Sequence, residues 1–259
     1  MGKNVIDCRV FQIADPCPNL RRITLHSPKL IGYQLSGPDE FFGLLMPPPD
    51  VTFTPFDCIS TNLRAAVQAL PASIRPNLRW YTVRSLDPSQ GLLTFDVVLH
   101  HYVTGPGSSW IRSAQIGDSC GICLAQSLWQ PTTAPQVLIA DATGTPALLS
   151  ILDQLPGDAL ADCSVAVCAP SKSEIEMPAL LHYSPRLRHF SVNYSATSAA
   201  PTTITDVLRQ WKLGDTTKLW ASGEDRLVKA ARRYAIHDLK LQSSDVTFVP
   251  FWYLGKPRP

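Results

Sequence analysis

The chain has 259 residues, of which 45% are hydrophobic and 17% carry a charge. This length and composition predict a globular protein with one large domain or two modest ones, each able to bury a core. A formal net charge of +2 is too small for a general nucleic-acid-binding protein, and no apolar run reaches the length that crosses a bilayer. The N-terminus has neither a secretory signal nor a myristoylation motif, because Ile6 stands where that motif needs Ser or Thr.

The cysteines predict a cytoplasmic protein with reduced thiols. There are seven, an odd and sparse set that does not suit a disulfide scaffold. Cys120 and Cys123 form a C-x-x-C in "GDSCGICLA", which has the pattern of a strand. Residues three apart on a strand face opposite sides, so we interpret this pair as small strand residues rather than a metal or redox site. Cys163 and Cys168 are predicted core residues.

The first half of the chain predicts short strands separated by turns. Apolar residues alternate with polar ones, and Pro and Gly clusters separate the runs, as in a small antiparallel barrel or sandwich. A short helix is expected within 58–70. The predicted strands are residues 5–14, 20–27, 41–46, 78–87, 92–100 and 118–125.

The second half predicts alternating strands and helices. A segment rich in Pro and Thr, 130–136, precedes this change, and we place the domain boundary there, giving domains 1–132 and 133–259. Alternation of this kind predicts a parallel sheet with helices on both faces. The predicted strands are 137–141, 163–169, 187–194, 218–223 and 245–253, and the predicted helices are 145–155, 202–211, 224–239 and a weaker one in 173–182.

One predicted strand, "NLRWYTVRSLD" at 77–87, carries two arginines. Alternation places Arg79, Tyr81 and Val83 on one face. The planar guanidinium of Arg suits a pyrophosphate, and a Thr hydroxyl such as that of Thr82 can form a hydrogen bond to a flavin edge. An Arg-x-Tyr-Thr run on a barrel strand, ahead of a doubly wound domain, resembles the ferredoxin-reductase superfamily of flavoproteins.

Five blocks in order narrow this resemblance. They read "RWYTVR", "FDVVLHHYVTGPGSSWIRSAQIGD", "LIADATGTPALLSIL", "WASGEDRLVKAARRY" and "FWYLGK". Together they extend over most of the chain, from Arg79 to Lys256, and closely resemble the siderophore-interacting protein family, the FAD-containing ferric-siderophore reductases. The resemblance implies an N-terminal antiparallel FAD-binding β-barrel followed by a doubly wound, parallel-sheet nicotinamide-binding domain.

The resemblance also implies site residues. Thr82 is the expected catalytic residue beside the flavin, and the Gly-rich turn 104–110 is expected to hold the FAD pyrophosphate at a helix start. Either His100 or His101 matches the family histidine. The expected cofactor-binding residues are Arg79, Tyr81, Thr82, Arg84, His100, His101, Gly105, Pro106, Ser108, Ser109, Trp110, Asp141, Thr143, Gly144, Glu224 and Trp252. A basic rim of Arg112, Lys256 and Arg258 is expected to attract the substrate.

Simpler interpretations exist for several of these residues. The 104–110 segment also fits an ordinary turn, Glu224 a helix-capping acid, and Trp252 a packing residue. The basic rim also fits solvated charges at a frayed terminus. In addition, Ala142 replaces a family Glu and Tyr253 replaces a basic residue, and "LAQSLWQP" lacks the family Gly-Pro. These departures indicate a divergent member.

Three functions follow as hypotheses. The first is an enzyme that passes electrons from NADH or NADPH through FAD to a ferric siderophore, with ferredoxin as another possible donor. Reduction to Fe(II) weakens the hold of an oxygen-rich chelator on iron. The second is a flavin oxidoreductase acting on another small-molecule acceptor. The third is a flavin- or siderophore-binding carrier without turnover. The sequence does not name the siderophore or the oligomeric state.

Overall fold

The computed structural model describes residues 5–58, 62–99 and 106–255, with Pro106 described by its backbone alone. The chain divides into two compact units, Met1–Ser127 and Leu128–Pro259. This division lies just upstream of the domain boundary that the sequence predicts between residues 132 and 133. Within the described ranges, no helix combines the length and the apolar character that spanning a bilayer requires.

The first unit is built on one antiparallel sheet of seven strands. The strand order is β4-β3-β7-β1-β2-β6-β5, and all of the predicted strands are present. The helix predicted within 58–70 is a short one, capped by the Asn62 side chain. The elements are β1 (Ile6–Cys17), β2 (Leu20–His26), β3 (Phe41–Met46), α1 (Leu63–Ala69), β4 (Asn77–Thr82), β5 (Ser85–Asp87), β6 (Leu92–Val98), α2 (Pro106–Ser113) and β7 (Ser119–Leu124).

The segment predicted as a single strand, 78–87, is two strands that meet at a corner. β4 and β5 lie at opposite ends of the sheet order, yet only Val83 and Arg84 separate them. The Val83 N–H donates to the Glu40 carbonyl at 2.9 Å, and the Arg84 N–H donates to the Thr94 carbonyl at 2.8 Å. One continuous segment therefore pairs with β3 on one side and with β6 on the other. This pairing closes the sheet, so the predicted barrel is confirmed.

The barrel interior is filled by side chains from alternate strand positions. Phe42, Leu44, Phe95 and Ile122 have no exposed surface, and burying each contributes about 1.5–3 kcal/mol. Cys120 belongs to this interior cluster, whereas Cys123 belongs to a second cluster formed with α1. The two cysteines thus face opposite sides of β7, as the strand interpretation of the C-x-x-C predicts. None of the seven cysteines, all within the described ranges, forms a disulfide.

The second unit is a five-stranded parallel sheet with the order β10-β9-β8-β11-β12. From β8 the chain moves first toward one edge and later returns beside β8 to build the other. The point between β8 and β11 is therefore the topological switch point of a doubly wound sheet, as predicted. The elements are β8 (Gln136–Asp141), α3 (Thr145–Gln154), β9 (Cys163–Ala169), α4 (Met177–Leu181), β10 (His189–Tyr194), α5 (Ala200–Gln210), β11 (Lys218–Glu224), α6 (Asp225–His237) and β12 (Val246–Trp252).

Burial along the central strands shows that both sheet faces are covered. Every residue of β8 and of β9 is buried, including Cys163 and Cys168, which the sequence predicts as core residues. α5 and α6 pack their apolar faces on Val137 and Ile139. Central parallel strands covered in this way leave their carboxyl ends as the part of the sheet open to a ligand.

Candidate functional site

In the first unit, α2 is fixed to the barrel at its carboxyl end. Ile111 is fully buried in the barrel core, and Trp110 packs against the same cluster. The Arg21 guanidinium on β2 donates to the carbonyls of Ile111 and Arg112, at 3.0 and 2.9 Å. A cation at the last carbonyls satisfies acceptors that a helix leaves unpaired and stabilises its dipole. The amino end of α2 is thereby held in place as a potential anion site.

Arg79 lies across the first turn of α2. A Cβ built on Gly107 would come within 3.0 Å of the Arg79 Cγ and 3.3 Å of its Nε. Arg79 is exposed, and its Nη1 donates to the neighbouring Leu78 carbonyl at 2.8 Å. A guanidinium and the N–H groups of a helix start therefore adjoin, which is the donor set that suits a pyrophosphate. The residues present fit FAD at this place, and the fit depends on the missing side chain at Gly107.

The neighbouring residues of β4, Tyr81 and Thr82, pack against the barrel. The Tyr81 ring lies 5.2 Å from the Phe95 ring and 6.4 Å from the Phe42 ring, between centroids. Burial raises the pKa of Tyr81 to about 12, although the Arg79 charge acts in the opposite direction. The phenol is therefore neutral at physiological pH. Thr82 is 6% exposed and pairs with Phe41 of β3.

The corner after β4 carries Arg84 into a different cluster from Arg79. Arg84 lines a depression of about 380 Å³ together with Ser85, Thr94 and Gln12. Arg22, also in this lining, forms a two-pronged ion pair with Asp96, at 2.7 and 2.8 Å. The structure thus brings Arg79 to α2 but places Arg84 on the outer side of β5 and β6.

The corner itself is held by a buried acid that sequence reasoning missed. Glu40 has no exposed surface, and its carboxylate accepts from the Tyr33 hydroxyl at 2.9 Å and the Ser36 hydroxyl at 2.7 Å. Its backbone carbonyl is the acceptor for Val83. Arg21 was missed in the same way, because a single Arg on a strand looks like a surface charge.

The remaining expected residues of the first unit lie on α2 or outside the described ranges. Ser108 and Trp110 are half-buried, while Ser109 and Arg112 are exposed. Pro106 begins the helix. Among the expected site residues, His100, His101, Gly105, Lys256 and Arg258 lie outside the described residues.

In the second unit, Asp141 occupies the switch point at the end of β8. Its Oδ1 accepts from the Thr143 N–H at 2.8 Å, the Thr143 hydroxyl at 2.6 Å and the Gly144 N–H at 3.0 Å. Its Oδ2 accepts from the Glu224 N–H and the Trp252 indole N–H, both at 2.8 Å. Burial raises the pKa of Asp141, against the lowering effect of the bonds from Thr143 and Trp252. Asp141 thus joins the ends of β8, β11 and β12.

Two glycines allow this close approach. Gly223 has φ +134°, and a Cβ there would lie 2.5 Å from the Asp141 Oδ1. A Cβ on Gly144 would lie 2.6 Å from the Ser222 carbonyl oxygen and would also overlap the Ser222 hydroxyl. The loop after β8 and the end of β11 are therefore in backbone contact, without room for side chains between them.

Glu224 has a structural role that is visible in its contacts. It is 2% exposed, and its Oε2 accepts from the N–H groups of Arg226 and Leu227 at the start of α6. Its Oε1 accepts from the Leu254 N–H at 3.2 Å. The helix-capping interpretation is thus confirmed, and a cofactor contact through this side chain stays a prediction.

A third carboxyl group makes this edge acidic. Glu174 follows β9, is 8% exposed, and has a raised pKa because of burial and the nearby Asp141 charge. Within the described ranges, no three His, Cys, Asp or Glu side chains are grouped to hold a metal ion.

These two units define a class of protein. An antiparallel barrel with an arginine at a helix start, followed by a doubly wound parallel sheet, is the fold of FAD- and nicotinamide-binding reductases. Matches between the sequence and models of known protein families then identify the family. A siderophore-interacting FAD-binding domain matches residues 9–126, and a siderophore-interacting protein domain matches residues 133–255. The chain belongs to the siderophore-interacting protein family.

Individual relatives agree with this assignment. The crystal structure of the siderophore-interacting protein SipS from Aeromonas hydrophila superposes with a TM-score of 0.77 at 24% identity, covering 98% of this chain and 93% of that one. The ferric acinetobactin reductase of Acinetobacter baumannii is 27% identical over 188 residues, 71% of this chain and 64% of the relative. The mycobactin import ATP-binding/permease protein IrtA of Mycolicibacterium smegmatis is 29% identical over 188 residues, 71% of this chain but 19% of the relative. The chain thus spans less than two thirds of either curated relative.

Proposed function

We propose that this protein is a flavin-dependent reductase that passes electrons from NADH or NADPH, through bound FAD, to a ferric siderophore and releases iron as Fe(II). The family supports a siderophore as the partner, and the similarity to a ferric acinetobactin reductase supports the reaction type. One observation carries the proposal: Arg79 lies directly against Gly107 in the first turn of α2.

The residues of the first unit would hold FAD through this arrangement. The Arg79 guanidinium and the N–H groups at the start of α2 would bind the pyrophosphate, and the hydroxyls of Ser108 and Ser109 would add donors. Tyr81 and Thr82 would line the isoalloxazine. When bound, FAD supplies the ability to accept a hydride and to release single electrons.

Several residues keep this site in shape. Arg21 fixes α2 from its carboxyl end, so the amino end does not shift when an anion binds. Glu40 fixes the corner after Thr82 through Val83. The neutral Tyr81 hydroxyl adds no charge beside an anionic ligand. Preorganisation of this kind lowers the entropy lost on binding.

The donor would bind at the carboxyl edge of the second unit. Doubly wound sheets bind nucleotides at the switch point, here formed by the loop after Asp141 and the end of β11 at Glu224. A reduced ferredoxin is the alternative donor. For the acceptor, Arg112 is exposed near the end of α2 and would attract an anionic ferric siderophore, together with Lys256 and Arg258.

A second candidate is a flavin oxidoreductase that acts on another small-molecule acceptor. Ala142, which replaces the family Glu, is 3% exposed and directly follows Asp141. A buried methyl at this position removes a carboxylate from the edge that would receive the donor. That change alters the electrostatics of the site and allows a different pair of donor and acceptor.

Absorbance measurements on the purified protein test both candidates. We expect a yellow protein with the flavin bands of bound FAD, which NADH or NADPH bleaches under anaerobic conditions. Addition of a ferric siderophore should restore the colour and produce Fe(II), trapped by a ferrous-specific chelator. Recolouring by an organic acceptor but not by ferric chelates would favour the second candidate. A colourless protein that binds siderophore would refute both and indicate a carrier.

We also propose a cytoplasmic location. Six of the seven cysteines are buried, and none of the seven forms a disulfide. Several cysteines without a disulfide are typical of proteins in reducing compartments.

A further inference from the structure

The Asp141 carboxylate is saturated with donors from its own protein. Two carboxylate oxygens offer about four lone-pair positions, and Asp141 accepts five hydrogen bonds. Its side chain is also covered by the Gly223 backbone, and the residue is only 6% exposed. A ligand that approached this edge would find no free acceptor on Asp141.

The donors on Asp141 come from both of its sides. Thr143 and Gly144 meet Oδ1, while Glu224 and Trp252 meet Oδ2. An Asn side chain in this position has two orientations, and in each of them its NH₂ group would face N–H donors instead of an acceptor. The pocket around Asp141 therefore accepts a carboxylate and rejects the nearly isosteric Asn.

Glu224 forms a second hydrogen bond to the part of the chain that contains Trp252. Its Oε1 accepts from Leu254, two residues beyond Trp252, while Oε2 remains on the amino end of α6. The segment 252–254, which begins at the last residue of the edge strand β12, is therefore attached by two buried carboxylates to the ends of β8 and β11.

We propose that Asp141 and Glu224 are positioning residues, which fasten segment 252–254 to the switch point and set the orientation of the Trp252 indole. This inference rests on the proposed function, since it assigns the nicotinamide-nucleotide contact at this edge to the half-buried Trp252 rather than to the two acids. Asp141 then acts on the nucleotide through Trp252. Loss of the carboxylate removes the hydrogen bond that orients the indole.

Quenching of Trp252 fluorescence by acrylamide tests the placement directly. The chain has six Trp residues, and subtracting the signal of Trp252→Phe isolates Trp252. In Asp141→Asn we expect the quenching constant of Trp252 to rise about 2-fold or more, because a released indole gains access to solvent. The matched control is Asp225→Asn, a buried acid of the same unit whose carboxylate pairs with Lys229. Unchanged quenching in a folded Asp141→Asn would overturn the proposal.

Anaerobic reduction of the flavin by NADH and by NADPH tests the route through Trp252. We expect Asp141→Asn to raise the KM of the better nucleotide roughly 10- to 100-fold, and Trp252→Phe, which keeps the ring but removes its donor, to raise it less. Combining the two should add little to Asp141→Asn alone, because both act along one path. Effects that multiply would show that Asp141 acts on the nucleotide independently of Trp252, and would overturn the inference.

Glu224→Gln keeps the proposal testable if Asp141→Asn does not fold. Gln can retain the cap on α6 through its oxygen while turning its NH₂ toward the N–H of Leu254. This variant should therefore release segment 252–254 and raise the quenching constant of Trp252. It should lower Tm less than Asp141→Asn does. Equal quenching to wild type would count against the proposal. If neither nucleotide reduces the wild-type flavin, the proposed donor is wrong, and the quenching comparison still decides the placement of Trp252.

Discussion

The two units use their polar side chains at the expected sites in opposite ways. In the barrel, Arg79 is exposed, and the acceptor seen on its guanidinium is the backbone carbonyl of its own neighbour. In the parallel-sheet unit, Asp141 and Glu224 are buried, and their carboxylates accept eight hydrogen bonds within the unit, one of them from Leu254. The family resemblance implies a cofactor role for all three. Among the described residues, the hydrogen bonds thus separate the Arg79 side chain, which has further donors, from the Asp141 and Glu224 side chains, which organise the backbone.

The largest effect on stability is expected from a substitution at Gly223, which lies against the saturated Asp141 carboxylate. We expect Gly223→Ala to lower the free energy of unfolding by about 3–5 kcal/mol, since it adds backbone strain at a positive φ to overpacking against Asp141. Urea denaturation of Gly157→Ala is the control, because a Cβ there meets nothing within 4 Å. Equal stability of the two variants would show that the Asp141 pocket tolerates a side chain.

The barrel site should respond in affinity rather than in stability. We expect Arg79→Ala to weaken FAD binding by about 1.5–3 kcal/mol, or roughly 10- to 150-fold in Kd, because a charge-assisted partner of the pyrophosphate is lost. Its Tm without FAD should stay close to wild type. Fluorescence titration of apoprotein measures the affinity, with the exposed Arg64→Ala on α1 as a matched control. Wild-type affinity in Arg79→Ala would remove the phosphate site from α2.

Buried thiols should behave alike in both units. Burial raises the pKa of Cys8 and of Cys163 to about 12 from 9.0. Between these values the unfolded thiol loses its proton while the folded thiol keeps it, so stability present below pH 9 is lost as the pH rises. At pH 10 each thiol accounts for about 1 kcal/mol of this loss.

Urea unfolding at pH 8 and pH 10 measures this loss. Cys8→Ala and Cys163→Ala should each lose about 1 kcal/mol less stability than wild type between the two pH values. A loss as large as that of wild type in either variant would contradict the protonation argument for that thiol.

The smallest effect is expected at Gly107, where one substitution should raise the stability of the apoprotein and lower its affinity for FAD. Gly107→Ala places a methyl group 3.0 Å from the Arg79 Cγ, but the neighbour is a flexible, exposed side chain that can move. We expect the apoprotein to gain about 0.5–1 kcal/mol, because Ala suits a helix better than Gly. FAD affinity should nevertheless fall a few-fold, since Arg79 is displaced. Tm and FAD titration on one preparation test both signs, and a parallel gain in affinity would contradict the expected role of Gly107.

Local patterns were sufficient to predict most of the architecture. Alternation predicted the barrel strands, and apolar runs separated by amphipathic helices predicted the parallel sheet, because burial imposes periods of two and 3.6 on the sequence. Helix ends differ by a few residues: α6 begins at Asp225 with Glu224 as its cap, and the weak helix predicted in 173–182 is reduced to Met177–Leu181 after a short 3-10 turn.

What the sequence could not show depends on contacts between distant residues. The corner at Val83 exists because Glu40 and Thr94 supply the acceptors on either side of it. The donors that saturate Asp141 include residues 83 and 111 positions away. No local sequence pattern distinguishes an acid whose carboxylate is saturated by its own protein from an acid that binds a ligand. The juxtaposition of Arg79 and Gly107, by contrast, agrees with the order of the motifs, although neither motif alone predicts the distance.

The strand order of the barrel also limits when the first unit can fold during synthesis. β7 lies between β1 and β3, so β1 pairs with the last strand described in the unit, Ile6 opposite Ile122. A nascent chain that has emerged only through β6 has two open edges where β7 belongs, and it cannot close the barrel. Closure waits until Leu124 has left the ribosome, and until then the apolar residues of β1 and β3 need protection from other chains.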